Sequence, residues 1–409
     1  MSFMYLITYT LLRVLILTLN PLLPQKLKQW IELRNSSFDI LQQVKLDFSS
    51  HRIWIHAASG EIEYAKAVIR ELKNIYPNCT ILVSYSSPSA PKLFKNIEHL
   101  ITHFFPLSWD ISICNQKLID IIKPDILIFS RTDFWPNLVK IAYKNNIKLA
   151  LISFYPSWSF VNTLWYKHIL KYFSLITCVD KNSTDSLKKI LSQTRVLHIP
   201  DTRFDQVLFR LSQPSLINLN TTQKRIVFGS TWPEDESILK SCVDHILEKN
   251  YSIIWAPHEV KHSLDLITVL KTKYPNKVIL ILGEASISAL ENQEFDFLIV
   301  DKIGYLADFY RFSDLSFIGG SFVKRVHSVM EPLCALNPVI VGPYYHNNPE
   351  AVLFKEKGFV KSVTSSDEFI QCFDKLLNQT ELKEKLSSEI SFYKNGSFET
   401  ARIIKEIIS

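Results

Sequence analysis

Apolar residues in this chain fall into short, nearly unbroken runs separated by longer amphipathic stretches. From residue 52 the runs read "RIWIHA", "CTILVSY", "LITHFFP", "PDILIFS", "KLALISF", "LITCV" and "RVLHIP". Stretches such as "EIEYAKAVIRELKNI" lie between most of them, with apolar positions at helical spacing. Continuous apolar runs alternating with helices predict βαβ units and a parallel sheet covered on both faces. The pattern lapses at 210–224, "RLSQPSLINLNTTQK", which reads as an interdomain linker. A second series follows: "RIVFGS", "YSIIWA", "KVILIL", "FDFLIV", "LSFIGG" and "PVIVGP". The expected fold class is therefore α/β, with Rossmann-like domains at 35–209 and 225–409. They are expected to face a cleft, with ligands at the carboxyl ends of the strands.

The first 34 residues break this pattern. Residues 3–23, "FMYLITYTLLRVLILTLNPLL", are apolar apart from a few positions including Arg13, Asn20 and Pro21. That length nearly spans a bilayer, and no small-residue cleavage site follows. An N-terminal membrane-anchor helix is expected, spanning the bilayer or lying in its interface, with a buried core helix as the alternative. Lys26, Lys28 and Arg34 come next, a basic segment through residue 34 that favours keeping the rest of the chain on the cytoplasmic side.

Composition narrows the function classes. The 409 residues suffice for two or three domains, and 47% hydrophobic content excludes general disorder. A net charge of +6 suits anionic ligands or a membrane surface, and no arm resembles a nucleic-acid binder. The six cysteines are scattered without zinc spacing, so they are expected to be free thiols, and no metal is expected.

Candidate chemistry lies in the loops after the strands. "SFIGGSFVKRVHSVMEP" (316–332) places Gly319 and Gly320 side by side in a chain with only nine glycines. Ser328 and Glu331 have capping-box spacing, so the stretch reads as strand, tight turn, basic loop and helix start. With Lys324 and Arg325 it suits a phosphate or carboxylate, or it is simply a well-capped connection. "HAASGEIEYA" offers Ser59 as an N-cap, followed by Gly60, and Glu61 as a first-turn carboxylate or a general base. In "SRTDFWPNL", Asp133 either starts a helix or faces ligand. Thr231 and Glu234 of "GSTWPEDE" have capping-box spacing, with Pro233 in the first turn. His258 directly follows a strand, where a structural role is the alternative to a functional one.

Together these motifs resemble the Kdo transferases of lipopolysaccharide assembly. "HAASGE" is similar to that family's H-A-x-S-x-G-E, "TDFWPNL" to T-E-L-W-P-N-L and "PDTRFD" to G-(D/N)-x-(R/K)-F-D. "GSTWPEDE" resembles G-S-T-x-x-x-E, with Asp235 at the acidic position, and "HSVMEP" resembles H-N-x-x-E-P. "IGYLADFYRFSDLSFIGGSF" resembles I-G-E-L-x-x-x-Y-x-x-A-D-x-x-F-V-G-G-S. One residue is missing between Ser59 and Gly60, and Arg131 replaces a glutamate. "SFYPSWSF", Tyr305 and "APHE" replace N-A-R-L, the glutamate of I-G-E-L and P-R-H-P.

The resemblance implies a GT-B glycosyltransferase that moves Kdo, with inversion, from CMP-Kdo to a lipid A precursor such as lipid IVA. No cofactor is implied. Glu61 would be the base. His258, Gly319, Gly320, Ser321, Lys324, Arg325, His327, Ser328 and Glu331 would serve the donor. The two glycines would let the backbone approach it, and Ser328 would cap the helix while Glu331 meets the ribose. Ser59, Gly60, Arg131, Asp133, Ser230 and Thr231 would face the acceptor or cleft. Membrane lipids would be met through residues 3–23. Another GT-B glycolipid transferase, a nucleotide-sugar epimerase and a non-catalytic sugar-nucleotide-binding membrane protein are the alternatives.

Overall fold

The computed structural model describes residues 23–219, 222–284, 290–291, 293–379 and 381–408. The chain divides into two units, residues up to Gln206 with those from Tyr393, and Val207–Phe392. Residues 3–22 of the expected anchor lie outside the described residues. Among the described residues no helix is long and apolar enough to cross a membrane.

The first unit is built on β1 (Arg52–His56), β2 (Thr80–Tyr85), β3 (His103–Pro106), β4 (Ile126–Ser130), β5 (Lys148–Phe154), β6 (Leu175–Cys178) and β7 (Arg195–His198). They pair in parallel in the order β3-β2-β1-β4-β5-β6-β7. Alternate side chains feed two cores. Trp54, Leu82, Leu127, Phe129, Leu149 and Leu151 point to one. Ile53, Ile55, Ile81, Val83, Ile126 and Ile128 point to the other. Burial on both faces is why each strand reads as a solid apolar run.

The second unit repeats the plan with β8 (Lys224–Thr231), β9 (Tyr251–Pro257), β10 (Ile279–Ile281), β11 (Phe297–Ile299), β12 (Leu315–Ile318), β13 (Val339–Val341) and β14 (Val360–Ser362). Their order is β10-β11-β9-β8-β12-β13-β14, again parallel. Strand order turns back between β1 and β4 in the first sheet; in the second, where β11 also lies inside β10, it turns back between β8 and β12. The crossovers there leave in opposite directions, so the carboxyl ends of these strands are not roofed by a helix.

Three sequence expectations change. Arg34 is no juxtamembrane charge: it is buried in the first unit and donates to the carbonyl of Ser108 at 2.9 Å. Its guanidinium lies 4.1 Å from the Trp30 ring and 4.5 Å from that of Trp135, where the flat cation stacks well. The expected linker 210–224 opens with the last turn of the Thr202–Ser212 helix and ends in β8. The terminal helix Gly396–Ile408, assigned by sequence to the second domain, joins the first unit instead, where Ala401, Ile403 and Ile404 enter the core beside the Ile62–Ile75 helix.

Asp205 fixes that last helix. Its carboxylate accepts from the backbone N–H groups of Asn395 (2.8 Å) and Ser397 (2.7 Å) and from the Ser397 hydroxyl (2.7 Å). Asp205→Ala should therefore destabilise the first unit by about 1–3 kcal/mol in urea unfolding. Amide exchange over residues 396–408 should rise selectively. Unchanged exchange there would show that apolar packing alone seats the helix.

Candidate functional site

In the second unit the site grows from the ends of β8 and β12. Ser230, next to last in β8, holds the left-handed φ of 57° rarely taken by serine. Thr231 follows, buried, with its hydroxyl accepting from the Trp255 indole at 3.0 Å and donating to Glu236 at 3.3 Å. The helix Pro233–Glu248 starts one residue later than the Thr231/Glu234 spacing suggests. Trp232 flanks it, and Asp235 rather than Glu234 accepts the Trp232 N–H at 2.9 Å.

Asp235 has a second task. Its carboxylate also accepts from the N–H groups of Gly320 (2.7 Å) and Phe322 (3.1 Å), clamping the glycine turn after β12 to the turn after β8. Burial raises its pKa against the pull of these three donors. The glycine pair answers the chain's own crowding. A Cβ on Gly319 would lie 2.4 Å from the Ser230 carbonyl oxygen. Gly320 has φ +80°, and a Cβ there would lie 2.4 Å from the Arg325 carbonyl oxygen. Ser321 is buried and structural: it donates to the Ile318 carbonyl (2.9 Å) and accepts the Gly342 N–H (2.7 Å).

A cavity of about 310 Å³ opens here, lined by Arg210, Ser230, Gly304, Leu306, Ala307, Tyr310, His327, Ser328 and Glu331. Ser328 does not cap the short helix Met330–Cys334, whose flanking residue is Val329; its hydroxyl donates to the Glu331 carboxylate instead. Tyr310 is fully enclosed, and burial together with the Glu331 charge pushes its phenol well above the ordinary value. The rings of Trp232, His258 and His327 stack, at 4.7 Å between the first two and 4.4 Å between the histidines. The Trp232 indole N–H donates to His327 Nε2 at 3.1 Å. Burial foremost, then His258 and Arg325, lowers the His327 pKa to about 4, which suits a ring nitrogen acting as acceptor.

Lys324 and Arg325 are exposed on the loop closing over Gly320 and do not line the cavity. Arg210 does line it, and its guanidinium donates to the Gly304 carbonyl at 3.1 Å. Sequence reading missed Arg210 because it fell in the expected linker, although the helical spacing of "FDQVLFRL" runs through it. Larger hollows of about 440 Å³ lie at the amino ends of β1 and β2 and between β14 and the Ser366–Leu377 helix. Neither is at a strand-order reversal.

In the first unit Glu61 immediately precedes the helix Ile62–Ile75. Its carbonyl accepts from the Ser130 hydroxyl at 2.8 Å, which ties it to the end of β4. Its carboxylate accepts the Ser59 N–H at 3.1 Å. Ser59 is no N-cap; its hydroxyl meets that of Ser89 at 2.9 Å. Gly60 stands in open space, with nothing within 4 Å of where a Cβ would project. Glu63, two residues beyond Glu61, is paired with buried Lys66 at 2.6 Å. Arg131, at φ 66°, reaches the Ser153 carbonyl (3.2 Å) and Asp201 (3.4 Å), and its guanidinium lies 4.8 Å from the Tyr64 ring. Asp133 accepts from buried His56, a residue not singled out from sequence despite its place in "HAASGE", at 2.9 Å.

Residues 30–206 match the family described as 3-deoxy-D-manno-octulosonic-acid transferase (kdotransferase). The chain is 26% identical over 371 residues to a 3-deoxy-D-manno-octulosonic acid transferase of Rickettsia typhi, covering 84% of this chain and 76% of that one. Its fold is similar to UDP-GlcNAc 2-epimerase from Neisseria meningitidis, with TM-score 0.59, 14% identity, and 87% and 99% of the two chains covered. It is also similar to a glycosyltransferase from Rickettsia africae, with TM-score 0.53, 13% identity, and 88% and 100% covered. The two-domain α/β architecture with parallel sheets is similar to that of GT-B glycosyltransferases, and the resemblance to the Kdo transferases holds.

His327 makes the second unit sensitive to acid. Its folded pKa lies below the ordinary value of 6.5. Between pH 6.5 and about 4 the unfolded chain therefore binds a proton that the folded chain refuses. This contribution to stability is full above pH 6.5 and is lost as pH falls toward 4. The urea midpoint should drop from pH 7 to pH 4.5 more steeply in the parental protein than in His327→Gln. Parallel slopes would show that the ring does not couple to folding.

Proposed function

We infer, from a chain whose residues 30–206 match the Kdo transferases, that this protein moves 3-deoxy-D-manno-octulosonic acid from its CMP-activated form to a lipid A precursor. The acceptor is lipid IVA, and transfer inverts the anomeric centre. The first unit handles the acceptor and the second the CMP-sugar. The observation that carries this reading is the family match on the first unit, joined to a second parallel α/β unit. That unit's strand-order reversal opens a cavity containing both Arg210 and Glu331.

The residues support a direct displacement. Glu61 takes the proton of an acceptor hydroxyl as its oxygen bonds to the anomeric carbon of Kdo. The bond from that carbon to the phosphate oxygen breaks, and CMP leaves with the electron pair. Arg210 supplies positive charge for the phosphate, and Lys324 and Arg325 add to the field from the loop. The Glu331 carboxylate, which accepts from Ser328, faces the ribose hydroxyls. His258 and His327 form part of the ring stack beside that cavity.

A lipid acceptor calls for contact with a membrane, and we assign the protein to the cytoplasmic face of a bacterial inner membrane. Residues 3–23 supply the anchor. A further surface supports this: Trp158, Val161 and Leu164 are exposed at 42%, 63% and 45% around the helix Phe160–Ile169. Lys167 and Lys171 flank them. Lys140 and Lys144 stand close by, on a helix whose Tyr143 ring meets Tyr172 at 4.9 Å. Burial, then Lys171 and Lys144, lowers the Lys140 pKa, as expected for crowded cations. Apolar side chains ringed by lysines suit an anionic lipid interface.

Incubating the full chain in detergent with CMP-Kdo and lipid IVA should yield a Kdo-bearing lipid. Glu61→Gln should lower single-turnover transfer by about a hundredfold or more with donor binding nearly unchanged, while Glu63→Gln stays close to parental. Binding of UDP-sugars in place of CMP-Kdo would favour an epimerase or another glycolipid transferase. Donor binding without turnover would favour a non-catalytic binder.

The lipid surface generates its own test. Val161→Glu combined with Leu164→Glu should slow transfer to acceptor embedded in phosphatidylglycerol vesicles, leaving the rate on detergent-dispersed acceptor near parental. Equal rates in both settings would remove this helix from the membrane contact.

A further inference from the structure

Trp54 and His56 are two residues apart on β1 and share a face, and Ser84 stands beside His56 in the register of β2. All three are fully buried. The Trp54 indole N–H donates to Ser84 Oγ at 2.8 Å. Ser84 Oγ lies 2.8 Å from His56 Nδ1, and His56 Nε2 lies 2.9 Å from Asp133 Oδ2. An indole can only donate, so Trp54 occupies one of the two acceptor positions on Ser84. An ionised carboxylate can only accept, so a ring proton sits on Nε2, facing Asp133. The Trp135 indole nitrogen is 3.0 Å from the same Nε2, but a nitrogen that donates to a carboxylate has no lone pair to offer, so this N–H serves Asp133. Ser86 adds a donor to Asp133 at 3.4 Å.

The chain of hydrogen bonds runs from the core to a carboxylate that is 25% exposed at the β1/β4 reversal. Glu61 reaches the same end of the sheet through the Ser130 hydroxyl. Ser, His and Asp are also the residue types of a hydrolytic triad. Here the serine is fully buried with an indole on its oxygen, so it attacks nothing. What remains is a device for holding a carboxylate. Burial opposes ionisation of Asp133, yet the His56 hydrogen bond and charge, with Trp135 and Ser86, outweigh it and keep the carboxyl below its ordinary range. Of the groups acting on Asp133, His56 is titratable; from β4 the Phe129 ring lies beside His56.

We propose that His56, fixed by Ser84 and Trp54, is a positioning residue that keeps Asp133 ionised and aimed to accept a hydrogen bond from an acceptor sugar hydroxyl, aligning it for Glu61. This rests on the Kdo-transfer reading. Asp133 does not replace Glu61 as base; it orients the nucleophile, so the two carboxylates act on one hydroxyl in different roles.

The test is the pH profile of single-turnover transfer for the parental chain, Asp133→Asn, Asp133→Glu, His56→Gln and Ser84→Ala, with thermal unfolding recorded for each. Asp133→Asn should slow transfer about tenfold or more and weaken CMP-Kdo binding little, and Asp133→Glu should restore part of the loss. His56→Gln and the milder Ser84→Ala should move the acid limb to higher pH, because burial then acts on Asp133 with less opposition. A loss that is uniform across pH would make His56 merely structural and overturn the proposal, as would parental rates in Asp133→Asn. Carbon-13 carboxyl NMR of the full chain reads the same claim without turnover: Asp133 should titrate at higher pH in His56→Gln. An unmoved titration overturns the positioning role. A moved titration in a parental protein that transfers no Kdo instead locates the failure in the transfer reading.

Discussion

Two crossovers leave the second sheet from neighbouring strands, and one buried carboxylate holds their first turns together. Asp235 receives the N–H groups of Trp232, Gly320 and Phe322. Losing it would strand buried donors that cost about 1–3 kcal/mol each when unpaired. Its position constrains much of what surrounds it. Gly319 must be bare because Ser230 passes over it, and Gly320 must be glycine because the turn toward Asp235 needs a positive φ. The loop that follows brings His327 onto the Trp232 indole and Glu331 onto Ser328. The cavity walls are thus consequences of one clamp at the point where strand order reverses.

The first unit uses the same logic with different atoms. At its reversal a carboxylate again gathers donors from separate elements, but from side chains: His56 from β1, Ser86 after β2 and Trp135 at the next helix. A second buried carboxylate, Asp110, takes the N–H groups of Asn137 and Leu138 at 3.1 and 2.9 Å and so seats the start of that helix. A parallel sheet covered on both faces exposes its backbone only at strand ends. Each unit places buried polar groups there to make loops rigid enough to orient ligands.

Much of the architecture is legible because burial on both faces writes strands as solid apolar runs. Thirteen such runs stand out in the sequence, and each coincides with a strand; β14 does not stand out because it is three residues long and carries Lys361 at its centre. The helix starts mislead for one shared reason. Ser59, Thr231 and Ser328 have the chemistry of caps, but each hydroxyl meets another side chain (Ser89, Glu236 and Glu331) rather than a helix N–H. Arg34 has the sequence context of a membrane-facing charge, yet two tryptophans and a carbonyl make a home for it inside. The glycine pair marks the right place for a reason internal to the chain. Arg210 and His56 are hidden in the sequence because their roles depend on partners 94 and 77 residues away.

Donor identity is where the account stands or falls, and a calorimetric titration of the full chain with CMP and with UDP addresses it. The account predicts that CMP binds and UDP binds far more weakly, with Arg210→Ala costing more CMP affinity than Lys324→Ala because only Arg210 lines the cavity. Preference for UDP, or CMP affinity untouched by Arg210→Ala, would contradict it.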